Sequence, residues 1–204
     1  MNNTKNIISA SCKIANGKVY KNGHLIFESQ PLPVVEFLSG VYNFISPDYP
    51  KFYKMDNLSK LGWLATEILL DTNFDKSTDR VSKTAVVLSN SNASLDTDLR
   101  YFQTVSSYPS PSLFVYTLPN IVIGEICIRH KFQGENAFFV FEGFQPDFIR
   151  NYVNGLLGTG AADLCICGWV EFLANEYKAV LFLVENGSGT EFNTANMLSI
   201  FNLE

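Results

Sequence analysis

The chain has 204 residues and a formal net charge of -5, enough for one domain with a real core and the wrong sign for nucleic acid, whose phosphates need a basic stripe. Apolar residues make up 47% and charged residues 17%, a balance that leaves apolar surface for another subunit to cover. The early stretch NIISASCKIA is too short and too broken by polar residues for a secretory signal, and no segment has the length of a membrane span. The expectation is a cytoplasmic protein that meets neither nucleic acid nor membrane.

Residues 6–15 carry β-formers in loose alternation and read as a first strand. KVYKNGHLIF, residues 18–27, reads as a hairpin, because Asn22-Gly23 supplies the two positive-φ positions of a tight primed turn. Residues 29–55 hold four prolines and many aromatics. Within them VVEFLSGVYNF reads as a short helix and SPDYPKFYK as irregular chain pinned to the surface by its own side chains. MDNLSKLGWLATEILLD, residues 55–71, predicts a helix capped by Asp56 or Asn57, with Leu58, Leu61, Ala65 and Ile68 on one face.

TAVVLSN, residues 84–90, has the continuous apolar character of a strand buried on both faces. SNASLDTDLRYF reads as a polar loop. In LPNIVIGEICIRHKF, Pro119 marks a helix start, yet the β-branched residues leave a strand open as the other reading. NAFFVFE, residues 136–142, is a strand. QPDFIRNYVNGLLGTG is a helix opened by Pro146 and ended by Gly158 and Gly160, with the stripe Phe148, Ile149, Tyr152, Val153, Leu156 and Leu157. ADLCICGWV and KAVLFLVEN are strands with a short connection, and residues 187–204 are polar with an apolar patch at the end. Helices between apolar strands imply parallel crossovers, while the last two strands can pair antiparallel.

Few residues offer chemistry. Cys165 and Cys167 share one face of a strand, but no second Cys/His pair accompanies them, so they read as small buried side chains and no metal is expected. Asp96 and Asp98 lack further ligands, and ENGSGTE lacks the Lys of a phosphate loop. Arg129-His130-Lys131 reads as a solvated helix end, with an acidic carrier protein as the other reading. The strand-to-helix corner FFVFEGFQ displays Glu142-Gly143 and neither Ser nor Cys. Gly143 there fits a turn glycine serving positive φ.

Four segments in series resemble the β-ketoacyl synthases. KMDNLSKLGWLATEILL resembles their "rMDr" helix, and SNASLDTDLRYF their serine-rich loop with its acidic-aromatic sequel. TLPNIVIGEICIRHKFQGEN is similar to "PN…aG.iAi.fgl.Gpn", and AADLCICGWVE to the strand after the nucleophile helix. The likeness runs from about Met55 to Glu185. It implies one half of a thiolase-like α/β fold: a five-stranded mixed sheet flanked by helices on both faces, plus the N-terminal hairpin. The whole of residues 1–204 then forms a single unit, with an N-terminal strand, hairpin and irregular segment (1–55), an α/β core (56–186) and a C-terminal tail (187–204).

Counted from Gly134, the family's catalytic Cys would fall at Gly143, where no thioester can form. The half that carries the family's His pair has no counterpart, and His24 and His130 stand in other contexts. The resemblance therefore implies no catalytic residue and no cofactor. It also implies an accessory subunit of fatty acid or polyketide-like synthesis, pairing with itself or with a full-length ketosynthase and meeting an acyl carrier protein. The stripe from Phe148 to Leu157 is the expected partner interface, since each such side chain is worth about 1.5–3 kcal/mol when buried. A stand-alone acyl-binding protein is a second reading, and a hydrolase or acyltransferase relocated around His130 and a loop carboxylate a third.

Overall fold

The computed structural model describes residues 5–70 and 74–203. Its first three strands, β1 (Lys5–Ala15), β2 (Lys18–Lys21) and β3 (His24–Glu28), form an antiparallel meander. Asn22 at φ 51° and Gly23 at φ 79° make the primed turn that the sequence predicts. A helical layer follows: α1 (Val34–Ile45), a 3₁₀ turn (Pro50–Lys54), α2 (Asn57–Leu69) and α3 (Thr78–Ser82). Asp56 caps α2 by accepting from the Ser59 backbone N–H at 3.0 Å. Leu58, Leu61, Ala65 and Ile68 are all buried, as their spacing demands. The predicted end of this helix, Asp71, lies outside the described residues.

The central strand β4 (Thr84–Asn90) is buried at every position. It leads through α4 (Leu95–Val105), α5 (Pro111–Phe114) and α6 (Ile121–His130) to β5 (Asn136–Val140). Then come α7 (Pro146–Gly158), the long pair β6 (Leu164–Leu173) and β7 (Glu176–Gly187), the short β8 (Thr190–Glu191) and α8 (Thr194–Phe201). The strand order is β3-β2-β1-β7-β6-β4-β5, with β8 pairing β1. β4 runs parallel to β5 and β6, whereas β7 is antiparallel to β6 and to β1. The mixed α/β architecture is the expected one, with a wider sheet. The five expected strands lie side by side, the hairpin continues the same sheet, and β8 brings the described total to eight.

Strand alternation separates two cores. Val86 and Leu88, Ile166 and Val170, and Leu181 and Leu183 face α1, α2 and α6. Val87, Cys165, Cys167, Val180, Phe182 and Val184 face α7 and α8. Between the layers Gly168 takes φ 146°, and a Cβ there would collide with the Val180 carbonyl of the neighbouring strand. No side chain fits at that position.

Two segments differ from expectation, and a third takes one of the two forms left open for it. SNASLDTDLRYF is helical from Leu95, and Asp96 and Thr97 bond inward to the body of the protein. LPNIVIGEICIRHKF is the helix of its two readings. The C-terminal stretch is not a loose tail: Asn193 caps α8, and Phe192 and Met197 are buried under it. Its last residue, Glu204, lies outside the described residues. Among the described residues no helix is long and apolar enough to cross a membrane.

Candidate functional site

Strand β5 ends at Val140, and the last ladder bond runs from the Phe141 N–H to the Asn90 carbonyl at 2.9 Å. The chain then turns through Glu142 and Gly143, and Pro146 starts α7 with its fixed φ. Gly143 therefore sits in the strand-to-helix corner. Its φ is not positive, so the turn does not require glycine, contrary to the reading of a conformational role. A Cβ at Gly143 would meet no atom within 4 Å. The position has room for a side chain and lacks one.

The inner side of the corner is filled. The Phe144 ring stacks on Phe201 of α8 at 4.6 Å and lies 6.1 Å from Trp169 and 6.4 Å from Phe182. Thr194 Oγ1 donates to Asp147 at 2.6 Å and Asn6 Nδ2 to Asn154 at 2.7 Å, locking α7 against α8 and β1. Beside the corner, Ser91 donates its backbone N–H and its hydroxyl to Glu171 at 2.7 and 2.5 Å, which ties the loop after β4 to β6.

The stripe on α7 divides in two. Ile149, Val153 and Leu157 are buried against the chain's own sheet. The expectation of six apolar side chains left without cover is thus corrected: the sheet of the same chain supplies the cover for the inner three. Leu156 is partly buried against the same core. Phe148 and Tyr152 turn toward the sheet edge and join Phe139 and Phe141. In that cluster Phe148 lies 4.8 Å from Phe139 and 5.0 Å from Phe141, and Tyr152 lies 5.1 Å from Phe139.

The cysteines and the histidine on α6 lie away from this corner. Cys165 is fully buried, and burial pushes Cys12, Cys127 and Cys167 above the ordinary thiol range, Cys127 to about 11. His130 belongs to α6, in the layer on the opposite side of the sheet from α7. Its Nε2 lies 3.0 Å from Glu67 of α2, so it does not meet the loop carboxylates Asp96 and Asp98. Those two serve local structure, Asp96 accepting from the Ala174 N–H and Asp98 from the Ser94 hydroxyl.

The basic run is also not a solvated helix end. Arg129 donates to Glu67 from Nε at 2.9 Å and from Nη2 at 3.3 Å. Its guanidinium lies 4.8 Å from the centre of the Tyr49 ring, which stacks on Trp63 at 5.3 Å. Burial alone would raise the Glu67 pKa, but the hydrogen bonds and charges of His130 and Arg129 outweigh it and hold the carboxyl below its usual value. Among the three, only Lys131 stays exposed, as the left-handed cap of α6.

No family model and no curated protein matches the sequence. Solved structures do match. The ishigamide ketosynthase/chain length factor superposes with a TM-score of 0.64 over 90% of this chain, at 19% identity. A ketosynthase (ApeO) in complex with its chain length factor (ApeC) from Xenorhabdus doucetiae gives 0.58 over 91%, at 14% identity. A β-ketoacyl synthase from Burkholderia phymatum STM815 gives 0.60 over 90%, at 11% identity. The fold is that of the ketosynthases. The chain spans 62% of the ishigamide protein, 80% of the Xenorhabdus one and 59% of the Burkholderia one.

Proposed function

We propose that the chain is a non-catalytic ketosynthase-like subunit of fatty acid or polyketide-like acyl-chain synthesis, working beside a partner of the same fold. The observation that carries this reading is the corner at Gly143. Space and backbone there would accept a cysteine, which supports reading the glycine as a replaced nucleophile, since the fold itself makes no demand for glycine at this position. Without a thiolate no acyl group can be held as a thioester for condensation.

The partner surface follows from the sheet. β5 is an edge strand, and its sequence Asn136–Val140 contains no charge, no proline and no bulge to guard it. The opposite edge, β3, carries His24 and Glu28. An unguarded edge flanked by the rings of Phe139, Phe141, Phe148 and Tyr152 fits strand addition by a second subunit, either another copy or a full-length ketosynthase. One of the matching structures is a ketosynthase in complex with its chain length factor, and another includes an acyl-carrier protein. A stand-alone acyl-binding role has less support, because Phe144, Phe201, Trp169 and Phe182 fill the interior behind the corner.

The test is co-expression with a ketosynthase from the same genome, followed by affinity purification and analysis of products. Co-purification, with loss or altered chain length of product on deletion of this chain, is the expected result. No association with any ketosynthase and unchanged products would overturn the proposal.

A further inference from the structure

Three lysines and a tyrosine on the α8 side of the sheet line one cavity, just past the C-terminal end of that helix. It holds about 590 Å³, inside the roughly 300–1,000 Å³ of small-molecule sites. Strand register brings the four together. Ala15 of β1 lies between Lys18 of β2 and Lys178 of β7. Lys13, two residues earlier on the same face, lies between Tyr20 and Val180. Ala15 is too short to separate its neighbours, so Lys18 and Lys178 flank a shared floor, with backbones about 10 Å apart.

Each lysine is in a different state. Lys13 is 6% exposed, and its ammonium donates to the carbonyls of Phe201, at 3.0 Å, and Leu203. That fixes one positive charge at the end of α8. Lys18 is half-exposed, 3.9 Å from Glu28. Lys178 has no ion pair among the described residues, because its cross-strand neighbour Glu171 accepts from Ser91 and from the Phe172 N–H instead. The Lys178 nitrogen lies 4.0 Å from the centre of the Phe201 ring. The ring favours the charged form, but burial lowers the pKa. Tyr20 is 8% exposed, and its hydroxyl has no hydrogen-bond partner among the described residues.

We infer that this cavity captures a small oxo acid, Lys178 condensing with the ketone as an imine while Lys18 and the Tyr20 hydroxyl take the carboxylate. A desolvated lysine is the kind of amine that attacks carbonyls near neutral pH. Its neutral nitrogen adds to the carbonyl carbon, a C–N double bond replaces the C–O one, and the oxygen leaves as water with both amine protons. No oxidant or cofactor takes part. The fixed charge of Lys13 draws the anion in. Capture needs no thiol, so it stands beside the loss at Gly143 and holds whether or not the chain binds a ketosynthase.

The test is incubation of the full chain with levulinate and cyanoborohydride, which reduces an imine to a stable amine, followed by peptide mass spectrometry. Lys178 is expected to label about tenfold faster than the exposed Lys54 and Lys131. It should also label about tenfold faster with levulinate than with its methyl ester, which keeps the ketone and lacks the charge. Lys18→Gln should slow labelling of Lys178 by levulinate roughly threefold or more and leave labelling by the ester unchanged. Equal labelling of Lys178 and Lys54, equal rates for acid and ester, or a Lys18→Gln rate equal to wild type overturns the inference. If Lys18→Gln fails to fold, the acid and ester on the wild type decide alone.

Discussion

The hydroxyl of Thr97 donates to Asp56 across 2.9 Å. The carboxylate that caps α2 thereby also grips the one buried residue of α4. Burial, helped by nearby Asp96, raises the Asp56 pKa, against the pull of its hydrogen bonds from Ser59 and Thr97. A raised folded-state pKa contributes stability that is complete below the unfolded value near 3.9 and is lost as pH rises through the folded value. Asp56→Asn keeps the cap and escapes that loss. Its urea midpoint should match the wild type near pH 3.5 and exceed it at pH 7. Asp56→Ala, which leaves Thr97 and the helix end unpaired, should cost about 2–3 kcal/mol in urea unfolding at pH 7.

Gly143 and Gly168 make opposite predictions. Gly143→Cys should fold with a stability within about 0.5 kcal/mol of wild type, because its Cβ enters open space. The new thiol should react with iodoacetamide while Cys12, Cys165 and Cys167 stay protected, with the half-buried Cys127 as the background that the wild type measures. Gly168→Ala drives a methyl into the backbone of β7 at a φ that L residues avoid, and should cost more than about 3 kcal/mol or abolish soluble expression.

Arg129→Met retains an apolar stem against Tyr49 and Trp63 but removes both hydrogen bonds to Glu67. The pair is partly buried, so a loss of about 2–3 kcal/mol is expected at pH 7. The depressed pKa of Glu67 gives stability that is present above its unfolded value and lost as pH falls through the folded one. In the variant Glu67 protonates earlier, so acid unfolding followed by fluorescence should begin at a higher pH than in the wild type.

The two halves of the α7 stripe should separate by experiment. Ile149→Ala and Val153→Ala hollow the core under the sheet and should each cost about 2–4 kcal/mol. Phe148→Ala, at the half-open edge, should cost less than about 1.5 kcal/mol while weakening any partner held at β5.

Much of this fold was legible from the chain, and the failures share one cause. Strands β4, β6 and β7 announce themselves as apolar runs, and α2 and α7 as spaced stripes with caps. α4 escaped notice because its inward face is polar: Asp96 and Thr97 spend their hydrogen bonds on Ala174 and Asp56, which the local sequence does not show. The spacing of Leu95, Leu99 and Phe102 was the available signal. α8 was hidden in the same way, since only the tertiary contact with Phe144 and Phe182 explains its apolar patch. The corner position of Gly143 could be counted from the motif. Its unneeded backbone freedom could not, because φ is set by the loop as a whole. The ties of Arg129 and His130 to Glu67 join residues more than sixty positions apart, beyond any local pattern.

The register that seats Lys5 against Gly187 and Ile8 against Val184 has a bearing on biosynthesis. A ribosome releases β1 first, yet its long neighbour β7 is among the last pieces of the sheet to emerge. Until then the nascent meander of β1 to β3 has one bare flank of backbone, and closing so distant a pair is slow. That wait leaves the flank of β1 open to wrong pairings until β7 is made, so mispairing at this seam is the hazard of folding that the register builds in.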